Sequence, residues 1–441
     1  MAFVQKQATT AASALSEERI YARISWRIVP LVMIAYIFAF LDRINVGYVK
    51  LQMQESLGFS DAVYGLGAGL FFLTYLLFEV PSNALLEKIG ARVTFLRIMV
   101  LWGLTSAATM FVTEPWQFYT LRLLLGIFEA GFFPGVILYL SWWYPSHRRG
   151  RVTGLFMFGI PVTGILGGPL SGEIMRVMDG AAGMEGWQWV FLLEGLPVVA
   201  MGVILFMLLP DRPAQAKWLS PAEQRVVEQV LRADAAQSEG QVPGGRSGLM
   251  ASLMDPRVYL LAFIYFAMCC GAYTLTFWLP TMIRGLGVQD VASIGWISAV
   301  PYVFGALGLL IFSWSSDYFL ERKWHVAITL LLGGVMLYLT TLAGGSFYIS
   351  MAALSGAAFF IFAQPLFWAI PPTYLSRHAA ASGIAVISSL GILGGFVSPI
   401  IIGHLRSWTG EAETGLIVMA AVIFAGGLAT LMLPKAATRV G

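Results

Sequence analysis

Twelve long apolar runs follow one another along the chain, parted by short polar turns and, near the middle, by one long polar stretch. A helix crossing a bilayer needs about 20 mostly apolar residues at 1.5 Å each. Runs of that length lie at residues 28–49, 61–83, 93–112, 115–140, 152–173, 188–209, 257–281, 291–314, 326–344, 347–374, 381–403 and 413–433. Twelve is even, so both termini are expected on one side.

The polar stretch divides the pattern into a segment 1–27, a six-helix bundle 28–210, a linker 211–255, a second bundle 256–434 and a tail 435–441. The linker predicts one short surface helix, Pro221–Ala235, and is too small for a soluble catalytic domain. Composition agrees with lipid as the solvent. Of 441 residues, 58% are hydrophobic and 12% charged, whereas soluble domains carry about 25% charged residues. The net charge of +3 comes from short basic clusters between apolar runs and is no nucleic-acid signal.

Charge also orients the chain. Segments on the side of the termini hold 21 of the Lys and Arg residues, against four on the far side: Lys50, Arg176, Arg284 and Arg406. Cytoplasmic loops attract basic residues, which predicts cytoplasmic termini. The N-terminus carries no cleavable-signal pattern, since polar residues run to Arg27. Cys269 and Cys270, the only cysteines, are adjacent in an apolar run, so a disulfide framework is excluded and a buried structural role is expected.

The halves echo each other. GILGG occurs at Gly164–Gly168 and again at Gly391–Gly395, each in the fifth span of its half. In both halves a short basic turn precedes that span, Tyr144–Arg151 and Tyr374–Ala380. Small residues at this spacing let helix backbones approach closely. Paired six-helix halves are the plan of secondary transporters, which bind substrate between the halves near the midplane.

Ionisable side chains at membrane depth cost about 2.5–3.5 kcal/mol on insertion scales and are functional candidates by default. Asp42 and Arg43 lie in the first span, Glu79 in the second, Arg122 and Glu129 in the fourth, and Glu194 in the sixth. If the first span ends near Lys50 and the fourth begins near Pro115, Arg43 and Arg122 each lie roughly 10 Å inside. That matched depth predicts an Asp42–Arg122 pair and a free Arg43, with Glu129 two turns deeper on the face of Arg122. A guanidinium presents a planar fork to a carboxylate, and a carboxylate at depth can load and release a proton as its surroundings alternate. The competing reading is a set of static ion pairs that hold helices together. The second half offers polar and aromatic candidates instead: Tyr273, Thr274, Thr276 and Trp278, Tyr302, Gln364 and Trp368, and Ser388 and Ser389. His147, His378 and His404 are not placed to carry a proton through the bilayer centre.

FLDRINVG (first span), FEVPSNALLEKIGAR (after the second), RLLLGIFEAGFFPG (fourth) and WQWVFLLEGLP (sixth) together resemble the anion:cation symporter family of the major facilitator superfamily. The resemblance covers nearly the whole chain. It implies an all-α membrane fold of two pseudo-symmetric six-helix bundles, alternating access and proton-coupled uptake. It further implies Arg43 as ligand of the substrate carboxylate, Asp42 and Glu129 as proton-linked carboxylates, and Arg122 as partner of Asp42. The superfamily's GxxxDRxGRR loop is altered here: LLEKIGAR has Glu87, Lys88, Gly90 and Arg92, with no Asp-Arg pair. Its counterpart FSWSSDYFLERK keeps Asp317 with Arg322 nearby. An altered gating network is therefore expected from Glu79, Asn83, Arg92, Asp317 and Arg322.

A nucleotide-driven pump is excluded, because no GxxxxGK[ST] loop occurs. A membrane enzyme would need a nucleophile–base set or metal ligands at depth, and the spans hold no histidine cluster. The expectation is a non-enzymatic secondary transporter, in a bacterial inner membrane, for proton-coupled uptake of a small organic anion: a mono- or dicarboxylate, sugar acid or aromatic acid. Arg43, Tyr273, Thr274, Trp278, Gln364 and Ser388 would bind it, with Asp42, Glu129 and Arg122 coupling protons. No cofactor, metal or nucleic-acid partner is expected. The proton gradient supplies the energy, the bilayer is the surrounding partner, and the chain works as a monomer. The alternatives are an exporter of amphipathic compounds and a non-transporting membrane sensor on the same fold.

Overall fold

The computed structural model describes residues 2–238, 250, 252–375 and 380–433. Each apolar run is helical, and among the described residues twelve helices are long and apolar enough to cross a membrane. They are α1 (Glu17–Leu57), α2 (Asp61–Ile89), α3 (Ala91–Phe111), α4 (Pro115–Ser141), α5 (Ser146–Met178) and α6 (Gly186–Leu208) in the first half. The second half holds α7 (Pro256–Gly285), α8 (Val291–Tyr318), α9 (Lys323–Thr341), α10 (Phe347–Ala369), α11 (Ser382–Thr409) and α12 (Glu413–Leu431). Backbone polar groups must be satisfied inside each segment where no water is present, which helices do. Large apolar side chains such as Leu77, Leu104, Met207, Trp314 and Leu428 stay exposed on the outside, as a lipid-facing surface requires.

One boundary differs in a way that matters. The first helix continues to Leu57, two turns past the expected end at residue 49, and nothing between Val49 and Leu57 breaks it.

Packing repeats between the halves. α3 packs on α6 as α9 packs on α12, α1 on α5 as α7 on α11, and α2 on α4 as α8 on α10. The halves meet chiefly along α5–α8 and α2–α11. Both crossings are backbone against backbone. A Cβ on Gly168 would sit 2.7 Å from the Gly295 carbonyl oxygen, and one on Gly69 2.7 Å from that of Phe396. The first GILGG copy therefore lies on the contact between halves. In the second, Gly391 and Gly394 pack on α7 within their own half, and Gly395 faces Phe72 of α2.

The hydrogen bonds, ion pairs and ring contacts that join the halves gather on the side away from the termini. They include Tyr64 to the Phe277 carbonyl, Lys50 to Thr281, Arg406 to Asp61, the Ala62 amide to Ser407, Trp296 to Glu173, and Phe72 against Tyr273. The molecule is closed on that far side.

The linker contains a helix over Pro221–Ser238 that docks on the first half. Glu223 pairs with Arg23 at 3.0 Å. Asp234 accepts from the Ser146 amide at 3.0 Å and from its hydroxyl, and Arg149 lies 3.5 Å away. The Ser146 hydrogen bonds, helped by Arg149 and His147, hold the Asp234 carboxyl below the usual aspartate value. Just before the helix, Trp218 stacks on buried Trp143 at 5.9 Å, with the Arg27 guanidinium 5.3 Å above Trp218. Residues 239–249, Arg377, His378 and the C-terminal tail lie outside the described residues.

Candidate substrate and proton site

α4 is not one continuous helix. It stops at Glu129, turns through Ala130 and Gly131, and resumes at Phe132. Gly131 has φ 87°, a left-handed conformation that L side chains adopt only at a cost. A Cβ there would also sit 2.6 Å from Ser82. Irregular backbone at this depth is tolerated where protein covers it or a cavity adjoins it. The break sets Glu129, which is fully buried, at the end of the first half-span.

Arg43 reaches Glu129. Its Nε and Nη2 both donate to Glu129 Oε1, at 3.0 and 2.5 Å, while Oε2 is buried without a hydrogen-bond partner. Phe71 and Tyr75 of α2 and Phe40 of α1 stand 5.2, 5.1 and 5.7 Å from the guanidinium, a cage that favours a cation. Tyr36 and Tyr273 also lie within electrostatic reach of Arg43, so the second half contributes to its surroundings.

The pairing corrects the expectation drawn from depth. Asp42 makes no ion pair with Arg122; it accepts from Trp102 Nε1 at 3.1 Å and from the Ser106 hydroxyl, both on α3. Arg43 is not free. The cause is the length of α1: measured from Leu57, Arg43 lies fourteen residues inside, and Glu129 lies fourteen residues inside Pro115. Level residues meet, so Glu129 rather than Arg122 is at Arg43's depth. Asp42 and Arg43 are adjacent on one helix and point about 100° apart, which sends Asp42 to α3 and Arg43 toward the second half.

Arg122 has no carboxylate within ion-pair distance among the described residues. It is 3% exposed, rests 5.6 Å from the Phe118 ring, and its Nε and Nη2 have no hydrogen-bond partner. Other buried donors share this condition: the hydroxyls of Tyr48, Thr274 and Tyr302, and Trp278 Nε1. Buried polar groups are almost always paired, so these orphaned donors, which come from both halves, are candidates to meet an acceptor. Tyr48 carries no charge and went unnoticed in the sequence, although it lies five residues past Arg43 in the same span.

The remaining expected ligands are spread out. Trp278 belongs to the far-side closure, where the Lys50 ammonium lies 3.7 Å from its ring centre. Lys50 is 1% exposed, pairs with Asp61 at 2.7 Å and donates to Thr281 at 3.1 Å. Sequence reading placed it in an outer loop; the longer α1 brings it into the seam. Gln364 is half-buried, with its amide 4.0 Å from Cys269 Sγ; Cys269 and Cys270 are free and buried. Ser388 is half-buried on α11.

The expected gating residues stay within their own halves. Asn83 donates to the Glu79 carbonyl at 3.0 Å. The Arg92 amide donates to Asp211 and its Nε to the Phe206 carbonyl, both at 2.9 Å. Asp317 pairs with Arg322, whose Nη1 also donates to Ser316 at 2.7 Å. None of these contacts bridges the halves, as expected of a molecule whose cross-half bonds gather on the far side.

A third polar group gathers around Glu194, a carboxylate named from the sequence, with partners that were not. Glu194 of α6 accepts from Asn45 Nδ2 at 2.9 Å and from the Ser171 hydroxyl at 2.8 Å, all three residues being buried. The available signal was Asn45, three residues after Asp42 and so on the same helical face.

Two six-helix halves related by repeated packing, meeting over buried charges at mid-depth, define a membrane carrier. The chain belongs to the Major Facilitator Superfamily, whose model matches residues 32–399. It is 43% identical to a putative tartrate transporter of Agrobacterium vitis, over 96% of this chain and 97% of that protein. It is 39% identical to a quinolone resistance transporter of Acinetobacter baumannii, over 94% of each. Among solved structures it resembles a bacterial homologue of the human lysosomal transporter Spinster in an inward-facing, occupied conformation, with TM-score 0.73, 15% identity, and coverage of 92% of this chain and 96% of that one. It is an integral membrane transporter and not an enzyme, and its relatives accord with the resemblance to anion:cation symporter-type permeases.

Proposed function

We propose that the protein takes up a small organic anion together with protons, with its termini in the cytoplasm of a bacterial cell and its inward-open state captured here. One observation carries the reading: Arg43 gives two donors to a single oxygen of Glu129, whose other oxygen has no partner. A substrate carboxylate that takes the Nε–Nη2 edge of Arg43 displaces Glu129 from it. A buried carboxylate stripped of its cation is costly, so Glu129 takes a proton, on Oε2, as the anion binds. Anion and proton then bind as a pair without any further device. The orphaned donors on Arg122, Tyr48, Thr274 and Tyr302 supply hydrogen bonds for the rest of the anion. The tartrate name of one relative fits a compact hydroxylated dicarboxylate.

The test is Glu129→Gln in proteoliposomes, with tartrate as the first probe of a panel of organic acids. The variant exchanges labelled anion across the membrane but does not concentrate it when an inward proton gradient is imposed. Concentration equal to the parent's would remove Glu129 from the coupling. Exchange of label also separates a carrier from a membrane sensor, which binds without transport.

Export of amphipathic compounds is the second reading, favoured by the aromatic cage around Arg43 and by the quinolone-resistance relative. Reversing the imposed proton gradient distinguishes the two, since a proton-driven exporter moves its cargo opposite to the protons and a symporter moves it with them.

A further inference from the structure

We propose that Glu194 is a second proton site of the transport cycle, holding a proton in the state described here; the inference rests on the proton-coupled reading above. Glu194 is 4% exposed at the junction of α1, α5 and α6. Among the described residues no Lys, Arg or His lies within ion-pair distance of it, and its two partners, Asn45 and Ser171, are neutral. The other mid-depth carboxylates of the half are placed differently. Glu129 holds Arg43, and Asp42, with two α3 donors, lies within electrostatic reach of Arg122. Glu194 alone of the three would sit as an uncompensated buried anion, which is strongly disfavoured.

The surroundings also accept the proton. On Oε1 it is donated to the Ser171 oxygen, since a hydroxyl can reverse its role. On Oε2 it needs an acceptor from Asn45, whose Oδ1 is buried and unpartnered. An amide turned about its own axis exchanges Oδ1 for Nδ2 with little change of shape, and the orphan then becomes the acceptor.

The charged groups facing this site are few. α1 brings Asp42, whose carboxylate is held by Trp102 and Ser106 of α3. α3, packed against α6, brings no charged side chain at this level, and on α5 the nearest is half-buried Glu173, which pairs with Arg176. A release route is built in. Ser171 adjoins Gly172, which with Gly168 forms the α5 crossing against α8. Opening the far side uncovers this stretch and brings water beside Ser171. Glu194 thus exchanges its proton with the far side, whereas Glu129 lies on the path of the anion.

The test uses Glu194→Gln, which keeps the shape and the bonds to Asn45 and Ser171, beside Glu129→Gln and the parent. Infrared titration of each protein in liposomes with no anion added comes first. At neutral pH the parent shows a protonated-carboxyl band that Glu194→Gln lacks and Glu129→Gln retains. A band unchanged in Glu194→Gln overturns the proposal. Proton and tartrate fluxes are then recorded together, with the same organic-acid panel in reserve. Glu194→Gln carries one proton fewer per anion than the parent. The parent's ratio in Glu194→Gln assigns the residue to structure alone and sinks the inference while leaving the coupling by Glu129 intact. An anion flux without protons in the parent itself overturns both.

Discussion

The Lys50 ammonium lies 3.7 Å from the centre of the Trp278 ring, which joins α1 to α7 across the far mouth. A fully buried lysine here also donates to Thr281 of α7, so opening the far side must part both of these contacts, while its pair with Asp61 lies within the first half. Lys50→Ala removes this latch. Asp61 keeps Arg406 at 3.3 Å, so the loss is smaller than for an abandoned buried charge, about 1–2 kcal/mol. That shifts the balance toward the far-open state roughly tenfold. A single Thr281→Cys reporter should react correspondingly faster with an impermeant maleimide, the native cysteines being buried. An unchanged labelling rate would show that the closure does not depend on Lys50.

Arg43→Ala abolishes anion binding in calorimetric titration, and Arg43→Lys restores little of it. Lysine carries the charge but not the fork. The loss should reach at least 2 kcal/mol, as for truncation of a charged hydrogen-bonded partner. Near-parental affinity in the alanine variant would place the anion elsewhere.

Arg122→Gln should separate function from stability. A cation that held helices together would have partners, yet two of its nitrogens have none. Removing such a group relieves an unsatisfied charge, and Asp42 keeps its two α3 donors. The expected outcome is an unchanged or higher melting temperature with transport reduced at least tenfold. A large drop in melting temperature would return Arg122 to a structural role.

Gly131→Ala forces a Cβ into a left-handed residue and against Ser82. A cost of about 1–3 kcal/mol is expected, visible as a lower melting temperature in detergent. Gly150→Ala, whose Cβ would meet nothing within 4 Å, is the matched control.

Docking of the linker helix should be indifferent to pH in the neutral range and weaken in acid. Asp234 is held below 3.8 by the Ser146 hydrogen bonds. A depressed carboxyl stabilises the docked form above the undocked value and loses that contribution as pH falls through the docked one. Hydrogen exchange of residues 221–238 should accelerate in that acid window in the parent, and already at neutral pH in Asp234→Asn.

Much of the fold was legible because lipid imposes a simple rule of run length, and charge depletion left little else to read. The candidate site was legible in its residues but not in its pairing. Arg43, Glu129, Asp42 and Arg122 stood out by charge, but which of them meet depends on where α1 ends. The first polar residue after an apolar run, Lys50, was a poor marker of that end. Ordinary helix formers from Leu51 to Leu57 were the better one. Asn45, Ser171 and Tyr48 carry no charge, and a polar residue in an apolar run declares its role only when its neighbours on other helices are known.

The two crossings between the halves have a mechanical consequence. At Gly168 on Gly295, and Gly69 on the Phe396 carbonyl, backbones touch, while Tyr302 fills the space over Gly164 and Phe72 that over Gly395. Packed ridges resist sliding because each must climb out of its groove, but bare backbone offers neither ridge nor groove. The halves therefore roll on two small bearings of backbone, and resistance to motion comes from these two rings and from the polar contacts at the rim. Such a machine can be tuned in speed by changing its rim, with its bearings and its binding site left as they are.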